Sequence, residues 1–162
     1  MALRIIVAPD SYKGSVSALA VARAMERGIL RVFPEAEVCK LPIADGGEGT
    51  VEALVTATGG KTLTAEVSDP LGKRISAPWG VLGDGQTAVI EMAAASGLPL
   101  VPMEKRNPRI TTTHGTGELI RAALDAGLRK IIIGIGGSAT NDGGAGMARA
   151  LGVRFVANEG SD

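Results

Sequence analysis

EVCKLPIADGGEGTVEALVTATGG (residues 37–60) joins a strand pattern, a glycine-rich loop and a helix pattern in one continuous stretch. Residues 37–44 have the alternating apolar positions of a strand, and residues 50–58 have the apolar spacing of a helix. Gly59 and Gly60 then provide a helix stop, because glycine readily takes the left-handed backbone conformation that ends helices. A strand that leads through a glycine-rich turn into a helix indicates an α/β fold.

The residues before this stretch predict the other half of a parallel unit. LRIIVAP (residues 3–9) is a short β-branched apolar run, typical of a buried strand. Residues 15–32 predict a helix that Ser15 can cap and that Pro34 ends. Because strand, helix and strand of these lengths form a right-handed parallel pair, we interpret residues 1–60 as the N-terminal part of a first α/β lobe.

The remainder of the chain changes periodicity once and then returns to the α/β pattern. Residues 61–92 contain three strand patterns separated by the turn sequences PLG and GDGQ, which predict an antiparallel meander. Residues 93–162 are interpreted as the truncated start of a second α/β lobe. The elements predicted there are a helix at 117–126, a strand at 129–135, a helix at 146–151 and a last strand at 153–157. The expected fold class is a parallel-sheet, three-layer α/β lobe of the Rossmann or flavodoxin-like kind, with an antiparallel or mixed meander belonging to a second, incomplete lobe.

The composition argues against several classes of function. Lys and Arg number 17, Asp and Glu number 17, and aromatic residues make up 2%, so we expect neither a basic patch nor stacking side chains for nucleic acids. No run of about 18 apolar residues is present and no signal-peptide pattern follows Met1, so we expect no membrane partner and a location in the cytoplasm. The single cysteine, Cys39, is predicted to be a small buried apolar side chain.

Two loops share the spelling Asp-Gly-Gly-x-Gly: ADGGEGT (44–50) and NDGGAGM (141–147). Each follows an apolar run and precedes a helix pattern, so both are expected beyond the carboxyl ends of strands, where open α/β sheets bind ligands. Consecutive glycines can turn several backbone N–H groups toward one anion, phosphate above all. An aspartate beside them can hold Mg²⁺ or accept a proton from a hydroxyl, and this combination suits phosphoryl transfer. The alternative is that both loops are only tight turns.

Three further stretches are candidates for the same site. APDSYKGS (8–15) contains Lys13 but lacks the Gly-Lys-Ser/Thr order of a Walker A loop, so Lys13 is expected to act as a point charge. GIGGSA (134–139) fits a loose dinucleotide-binding pattern, but no acidic residue ends a following strand, which disfavours NAD. TTTHGTGE (111–118) surrounds His114 with hydroxyl groups, and His114 is interpreted as a hydrogen-bonded loop residue rather than a general base.

APDSYKGS, ADGGEGT and GIGGSATNDGGAGM, in this order and together with TTTHGTGELI, resemble the bacterial glycerate kinase family. Members of its ATP-dependent glycerate 2-kinase type have two α/β lobes with the active site in the cleft between them. They are more than twice as long as this chain, so the resemblance implies the N-terminal portion of such an enzyme. It also implies transfer of the ATP γ-phosphoryl group to a hydroxyl of D-glycerate with Mg²⁺, and 2-phosphoglycerate is the expected product.

Side-chain chemistry suggests candidate roles in that reaction. Asp45 and Asp142 are candidates for the base and for a metal-side carboxylate, with the assignment between them open, and Asp10 is a second metal-side candidate beside Asp45. Lys13 is a further catalytic candidate that would neutralise phosphate charge. A cation for the glycerate carboxylate can come from Lys13, Arg74 or Arg109. The candidates for binding substrate or phosphate are Ser15, Gly46, Gly47, Arg109, His114, Gly136, Gly137, Ser138, Thr140, Asn141, Gly143 and Gly144.

Two other functions stay open on the sequence. One is a nicotinamide-dependent oxidoreductase built on GIGGSA, and the other is a non-catalytic fragment that binds an anion weakly. The expected partners are the small molecules glycerate and ATP. Because the predicted last strand would leave an open sheet edge, self-association through that edge is also expected.

Overall fold

The computed structural model describes residues 3–12 and 15–156, which form two β-sheets with helices packed against them. The elements, in chain order, are β1 (Arg4–Val7), α1 (Ala18–Val32), β2 (Glu37–Lys40), α2 (Thr50–Thr58), β3 (Lys61–Ser68), β4 (Arg74–Val81), β5 (Thr87–Glu91), α3 (Ala93–Ser96), α4 (His114–Asp125), β6 (Lys130–Gly134) and α5 (Ala145–Ala150), with 3-10 turns at Leu98–Leu100 and Met103–Lys105.

The small sheet consists of β1 and β2, which pair in parallel, as the strand, helix and strand pattern predicted. Both strands are shorter than expected, but their pairing continues past their ends. Leu41 N donates to Val7 O at 2.8 Å, and Ile43 N donates to Pro9 O at 3.0 Å. The two chain segments therefore stay side by side up to the residues just before Asp10 and Asp45.

Helix α1 begins after Ser17, whose Oγ accepts a hydrogen bond from Ala20 N at 3.3 Å. The prediction that Ser15 caps this helix was wrong. Ser15 N instead donates to Tyr12 O at 2.8 Å, so the chain completes a turn before the helix can start.

The large sheet has the strand order β3-β4-β5-β6. β3 and β4 pair antiparallel, as do β4 and β5, which confirms the meander, whereas β5 and β6 pair in parallel. Since β3, β5 and β6 run in the same direction, their carboxyl ends lie at one edge of the sheet. We call this edge, defined by Ser68, Glu91 and Gly134, the carboxyl edge.

Apolar side chains cover both faces of the large sheet. On one face α4 contributes Leu119 to a cluster with Val67 and Ile90, and all three are fully buried. On the other face Val51 and Val55 of α2 pack against Val89. Burying a side chain of the size of leucine is worth about 1.5–3 kcal/mol, so these two layers hold the sheet between α2 and α4. This arrangement of helix, sheet and helix confirms the expected three-layer α/β architecture.

Some predictions near the ends and edges were wrong. Residues 153–156 form no strand, and residue 157 lies outside the described residues. Cys39 is exposed rather than buried, as is Ile6 in the neighbouring strand, because the side chains on that side of the two-stranded sheet have no covering layer within the described residues. None of the helices in the described ranges is both long and apolar enough to cross a membrane.

Candidate functional site

The first Asp-Gly-Gly loop, residues 44–49, connects the small sheet to α2. Asp45 Oδ1 accepts a hydrogen bond from Gly47 N at 2.8 Å, which closes a local turn. Gly46 and Gly49 have φ of 91° and 93°, a backbone conformation that favours glycine. Asp45 is exposed, and its second carboxylate oxygen has no hydrogen-bond partner among the described residues. This oxygen is therefore free to meet a ligand.

The first loop touches the loop after β6, which comprises residues 135–144. Gly136 N donates to Gly46 O at 2.9 Å. A Cβ atom on Gly134 would lie 2.4 Å from Gly46 O, and one on Gly136 would lie 2.7 Å from Gly47 N. These glycines let two backbones approach within hydrogen-bonding distance, so the first loop is held against the carboxyl edge.

A Gly134→Ala substitution tests this contact. The added methyl group would collide with a backbone oxygen, so we expect the free energy of unfolding to fall by about 1–3 kcal/mol, as for other overpacked sites. Urea unfolding of the chain measures this change. Gly28→Ala, on α1, is the matched control, because a Cβ atom at Gly28 would have no neighbouring atom within 4 Å. This substitution should raise the free energy of unfolding by about 0.5–1 kcal/mol. Equal effects of the two substitutions would contradict the close contact.

Asp142, in the second Asp-Gly-Gly loop, joins the starts of α4 and α5. Its carboxylate accepts hydrogen bonds from Thr113 N at 2.9 Å, Gly144 N at 3.0 Å and Gly146 N at 3.0 Å. The Thr113 hydroxyl also donates to it and in turn accepts from Met147 N at 2.9 Å. Burial alone would raise the pKa of Asp142, but the hydrogen bonds from Thr113, Gly146 and Gly144 outweigh it and lower that pKa. Both carboxylate oxygens of Asp142 thus accept hydrogen bonds, whereas only one oxygen of Asp45 does so among the described residues.

The two aspartates lie along the same edge of the large sheet. Asp45 belongs to the loop that contacts Gly134 at the end of β6. Asp142 bonds the start of α4, where a Cβ on Gly115 would lie 1.9 Å from Ser68 O at the end of β3. Three strand spacings separate β3 from β6, which is about 14 Å. The two aspartates therefore occupy different positions along the carboxyl edge, Asp45 near the end of β6 and Asp142 near the end of β3.

A cavity of about 480 Å³ opens at the β3 end of this edge. The residues that line it include His114, Arg149, Asp142, Ser68 and Thr112. The Arg149 side chain has no ion pair or hydrogen bond within residues 3–12 and 15–156, so its positive charge is available to an anion. Within the described residues, the cavity thus combines an unpaired guanidinium with the polar side chains of Ser68, Thr112 and His114 and with the carboxylate of Asp142.

Glu118 forms an ion pair with Arg74, one of the cations that the sequence suggested for the glycerate carboxylate. Glu118 Oε1 is 2.6 Å from Arg74 Nη1 and 4.0 Å from His114 Nε2, and Glu118 Oε2 accepts from Ser68 N at 2.6 Å. Burial alone would raise the pKa of Glu118, but the bonds from Ser68 and Arg74 outweigh it and lower that pKa. Arg74 is therefore already paired, whereas Arg149, which the sequence did not single out, has no ion pair with any residue that the structure describes.

The hydroxyl groups of the loop after β6 interact mainly with each other. Ser138 Oγ and Thr140 Oγ1 are 2.9 Å apart, and Thr140 N donates to Ser138 Oγ at 3.0 Å. They line a second cavity, of about 260 Å³, together with Arg106. Gly137, Gly143 and Gly144 of the same loop have positive φ, and Asn141 is exposed. Arg109 is exposed in the turn-rich segment that precedes α4.

The remaining candidates lie around the small sheet. Asp10 is exposed, and its Oδ1 accepts from Ser11 N at 2.6 Å. Ser15 lines a cavity of about 290 Å³ between the start of α1 and α2, with Glu48 and Glu52 on the other side. Lys13 lies outside the described residues. Within the described part of the chain, no group of three or more His, Cys, Asp or Glu side chains is arranged to hold a metal ion.

Sequence reasoning missed Glu91, the last residue of β5. It is 8% exposed, and its Oε1 accepts from Val51 N at 2.6 Å. The one signal in the sequence was a carboxylate that follows the apolar run AVI at the end of a buried strand.

Comparisons with known proteins agree with this arrangement of motifs. Residues 5–162 match the model of the glycerate kinase family. The chain is 64% identical over 160 residues to a glycerate kinase of Bacillus subtilis (strain 168) and 58% identical over 160 residues to a glycerate 2-kinase of Escherichia coli (strain K12), with 99% of this chain aligned in each case. It spans about 42% of the length of these curated relatives. It is also similar, with a TM-score of 0.85 and 60% identity, to a crystal structure from Salmonella typhimurium LT2 assigned to glycerate kinase 2, covering 100% of this chain and 43% of that one.

Proposed function

The chain belongs to the glycerate kinase family, and on this premise we propose that the whole protein transfers the γ-phosphoryl group of ATP to a hydroxyl of D-glycerate. The expected product is 2-phosphoglycerate. The observation that supports this proposal best is the contact between Gly136 N and Gly46 O, which brings a carboxylate with a free oxygen beside a glycine-rich loop at the carboxyl edge. Phosphoryl transfer needs this combination of negative charge for a metal and N–H groups for phosphate.

Asp10 and Asp45 are the residues that would hold Mg²⁺. The pairing of Ile43 with Pro9 keeps the segments before them side by side, and Mg²⁺ is usually held by one or two carboxylates together with substrate phosphates. When bound, the ion neutralises charge on the phosphate oxygens. These two side chains fit that requirement, because both are exposed at the ends of adjacent segments and one oxygen of Asp45 has no partner among the residues that the structure describes.

The loop after β6 would hold the phosphates. It runs along the carboxyl edge from β6 toward β3, and its glycines Gly137, Gly143 and Gly144 let the backbone N–H groups turn toward an anion. Asp142 would keep this loop and the starts of α4 and α5 in place, because its oxygens are already bonded to them. Its proposed role is therefore to position the loop.

Glycerate would bind in the cavity of about 480 Å³, with its carboxylate near Arg149 and His114. The cavity lies at the β3 end of the edge, beyond the loop proposed for the phosphates. This order would bring a glycerate hydroxyl toward the terminal phosphate while Asp45 stays on the opposite side of that phosphate.

An assay that couples ADP release to a spectroscopic signal, with D-glycerate and Mg·ATP and the whole protein, tests the function. We expect turnover that requires both substrates. Thermal protection by NAD(H) and none by Mg·ATP, with no ADP released, would instead point to the oxidoreductase alternative and contradict the proposal.

Arg149→Gln tests the glycerate site. Loss of a charge-assisted hydrogen bond costs about 1.5–3 kcal/mol, so we expect the KM for glycerate to rise by about 10-fold or more while the KM for ATP stays the same. Arg129→Gln is the control, because that guanidinium bonds the carbonyls of Leu124 and Leu128 before β6, away from the carboxyl edge. An unchanged KM for glycerate in Arg149→Gln would remove this residue from the site.

A further inference from the structure

Glu91 is a buried carboxylate at the carboxyl end of a strand in which all five residues are buried. Its Oε1 accepts from Val51 N at 2.6 Å. Burial raises the pKa of Glu91, the N–H groups of Val51 and Gly49 partly offset this, and the charges of Glu48 and Glu52 add to the rise. A buried carboxylate with like charges nearby is unfavourable unless it is hydrogen-bonded, so the bond from Val51 N at the start of α2 offsets part of this cost.

Helix α2 has no cap of its own. Its N-cap residue is Gly49, in a left-handed conformation with φ of 93° and with no side-chain hydrogen bond. The first N–H groups of a helix have no partner within the helix and attract negative charge. Glu91 supplies that partner from a position 40 residues further along the chain.

This bond ties the end of the first Asp-Gly-Gly loop to the central part of the large sheet. The loop runs directly into α2, whose second residue, Val51, is held by Glu91 on β5, and the middle of the loop is held by Gly136 beyond β6. The turn closed by Asp45 adds a third hydrogen bond that orders this segment. Glu91 itself lies inside the protein and does not line the cavities described above.

We propose that Glu91 is a positioning residue: it fixes the loop that carries Asp45 at the distance from the loop after β6 that phosphoryl transfer requires. This inference rests on the proposed function, because it concerns the same site. A misplacement of about 1 Å at a reacting centre can lower turnover by on the order of 100-fold. Loss of the bond between Val51 N and Glu91 is therefore expected to lower kcat more than it lowers substrate affinity.

Glutamine is the discriminating substitution, because it keeps the shape of glutamate and removes its charge. The amide oxygen of glutamine can still accept from Val51 N, but its NH₂ group cannot accept a hydrogen bond as the second carboxylate oxygen can. We expect Glu91→Gln in the whole protein to lower kcat by about 10-fold or more, with KM for ATP and glycerate changed less than about 3-fold. Glu91→Asp, which keeps the charge on a shorter side chain, should recover part of the lost kcat.

Asp84→Asn is the matched control at the other end of the same strand. Asp84 Oδ1 accepts from Gln86 N and Thr87 N, each at 2.9 Å, so the substitution also removes a carboxylate that bonds backbone N–H groups beside β5. It lies away from the carboxyl edge. We expect Asp84→Asn to lower stability without lowering kcat at temperatures where the protein stays folded.

Amide hydrogen exchange separates this inference from the proposed function. In the 162-residue chain, Glu91→Gln should speed exchange at Val51 and Gly47 by more than at core amides such as that of Val89, whatever substrate the whole protein uses. Unchanged exchange at both amides, or a kcat equal to that of the unaltered protein, would overturn the positioning role. Absence of glycerate phosphorylation by the unaltered protein would overturn the proposed function, and the exchange result would still decide whether Glu91 holds the loop.

Discussion

Asp142→Asn is expected to lower the free energy of unfolding by about 2–4 kcal/mol. The carboxylate accepts from the backbone N–H groups of Thr113, Gly144 and Gly146 and from hydroxyl groups, and donors face both of its oxygens. An asparagine must turn its NH₂ group toward at least one of these backbone N–H groups, which leaves buried donors without an acceptor. Urea or thermal unfolding at neutral pH measures the loss.

Acid titration provides an independent check on this prediction. The folded-state pKa of Asp142 is lowered, so its ionised form stabilises the fold fully above the unfolded-state pKa of about 4, and that contribution is lost as the pH falls through the lower folded-state pKa. The difference in stability between the unaltered chain and Asp142→Asn should therefore shrink below about pH 4. Asp125→Asn, at the carboxyl-terminal end of α4, is the control and should change stability by less than about 0.5 kcal/mol. A similarly small effect of Asp142→Asn would contradict the proposed tie between α4 and α5.

Local patterns predicted those parts of the fold that depend on neighbouring residues. The helix at Thr50–Thr58 was predicted with its observed bounds, because its start follows a glycine-rich loop and Gly59 ends it in the left-handed conformation. The antiparallel meander was predicted because Gly72 and Gly85, both with positive φ, mark its two turns. In each case the residues that determine the structure lie within a few positions of the element.

Local sequence patterns could not predict contacts between residues that are far apart in the chain. Asp45 and Asp142 have the same local spelling, yet only Asp142 meets the N–H and hydroxyl groups of Thr113, which lies 29 residues away. The bond from Val51 N to Glu91 joins residues 40 apart. The sequence could propose that both aspartates follow strand ends, but which of them keeps a free oxygen depends on how the helices pack.

Asp45→Asn is expected to lower turnover of the whole protein by at least about 100-fold while leaving stability nearly unchanged. Asparagine keeps the Oδ1 acceptor for Gly47 N, so the turn at the start of the loop is preserved. The substitution removes the negative charge of the exposed oxygen that we propose for Mg²⁺, and charge neutralisation provides much of the catalysis in phosphoryl transfer. Steady-state kinetics with Mg·ATP and D-glycerate, together with urea unfolding of the same variant, measure the two effects.

The comparison of the two asparagine variants tests the division of roles between the two loops. Since Asp45 is exposed and makes one local bond, its variant should unfold within about 0.5 kcal/mol of the unaltered protein, so any loss of activity must arise at the site itself. Asp142→Asn should instead lose stability first, and its remaining folded fraction should keep more activity per folded molecule than Asp45→Asn. Turnover near that of the unaltered protein in Asp45→Asn would remove Asp45 from the mechanism. The reverse pattern, with an inactive but stable Asp142→Asn, would assign the catalytic carboxylate to the second loop, because the lost turnover could then not be attributed to a weakened fold.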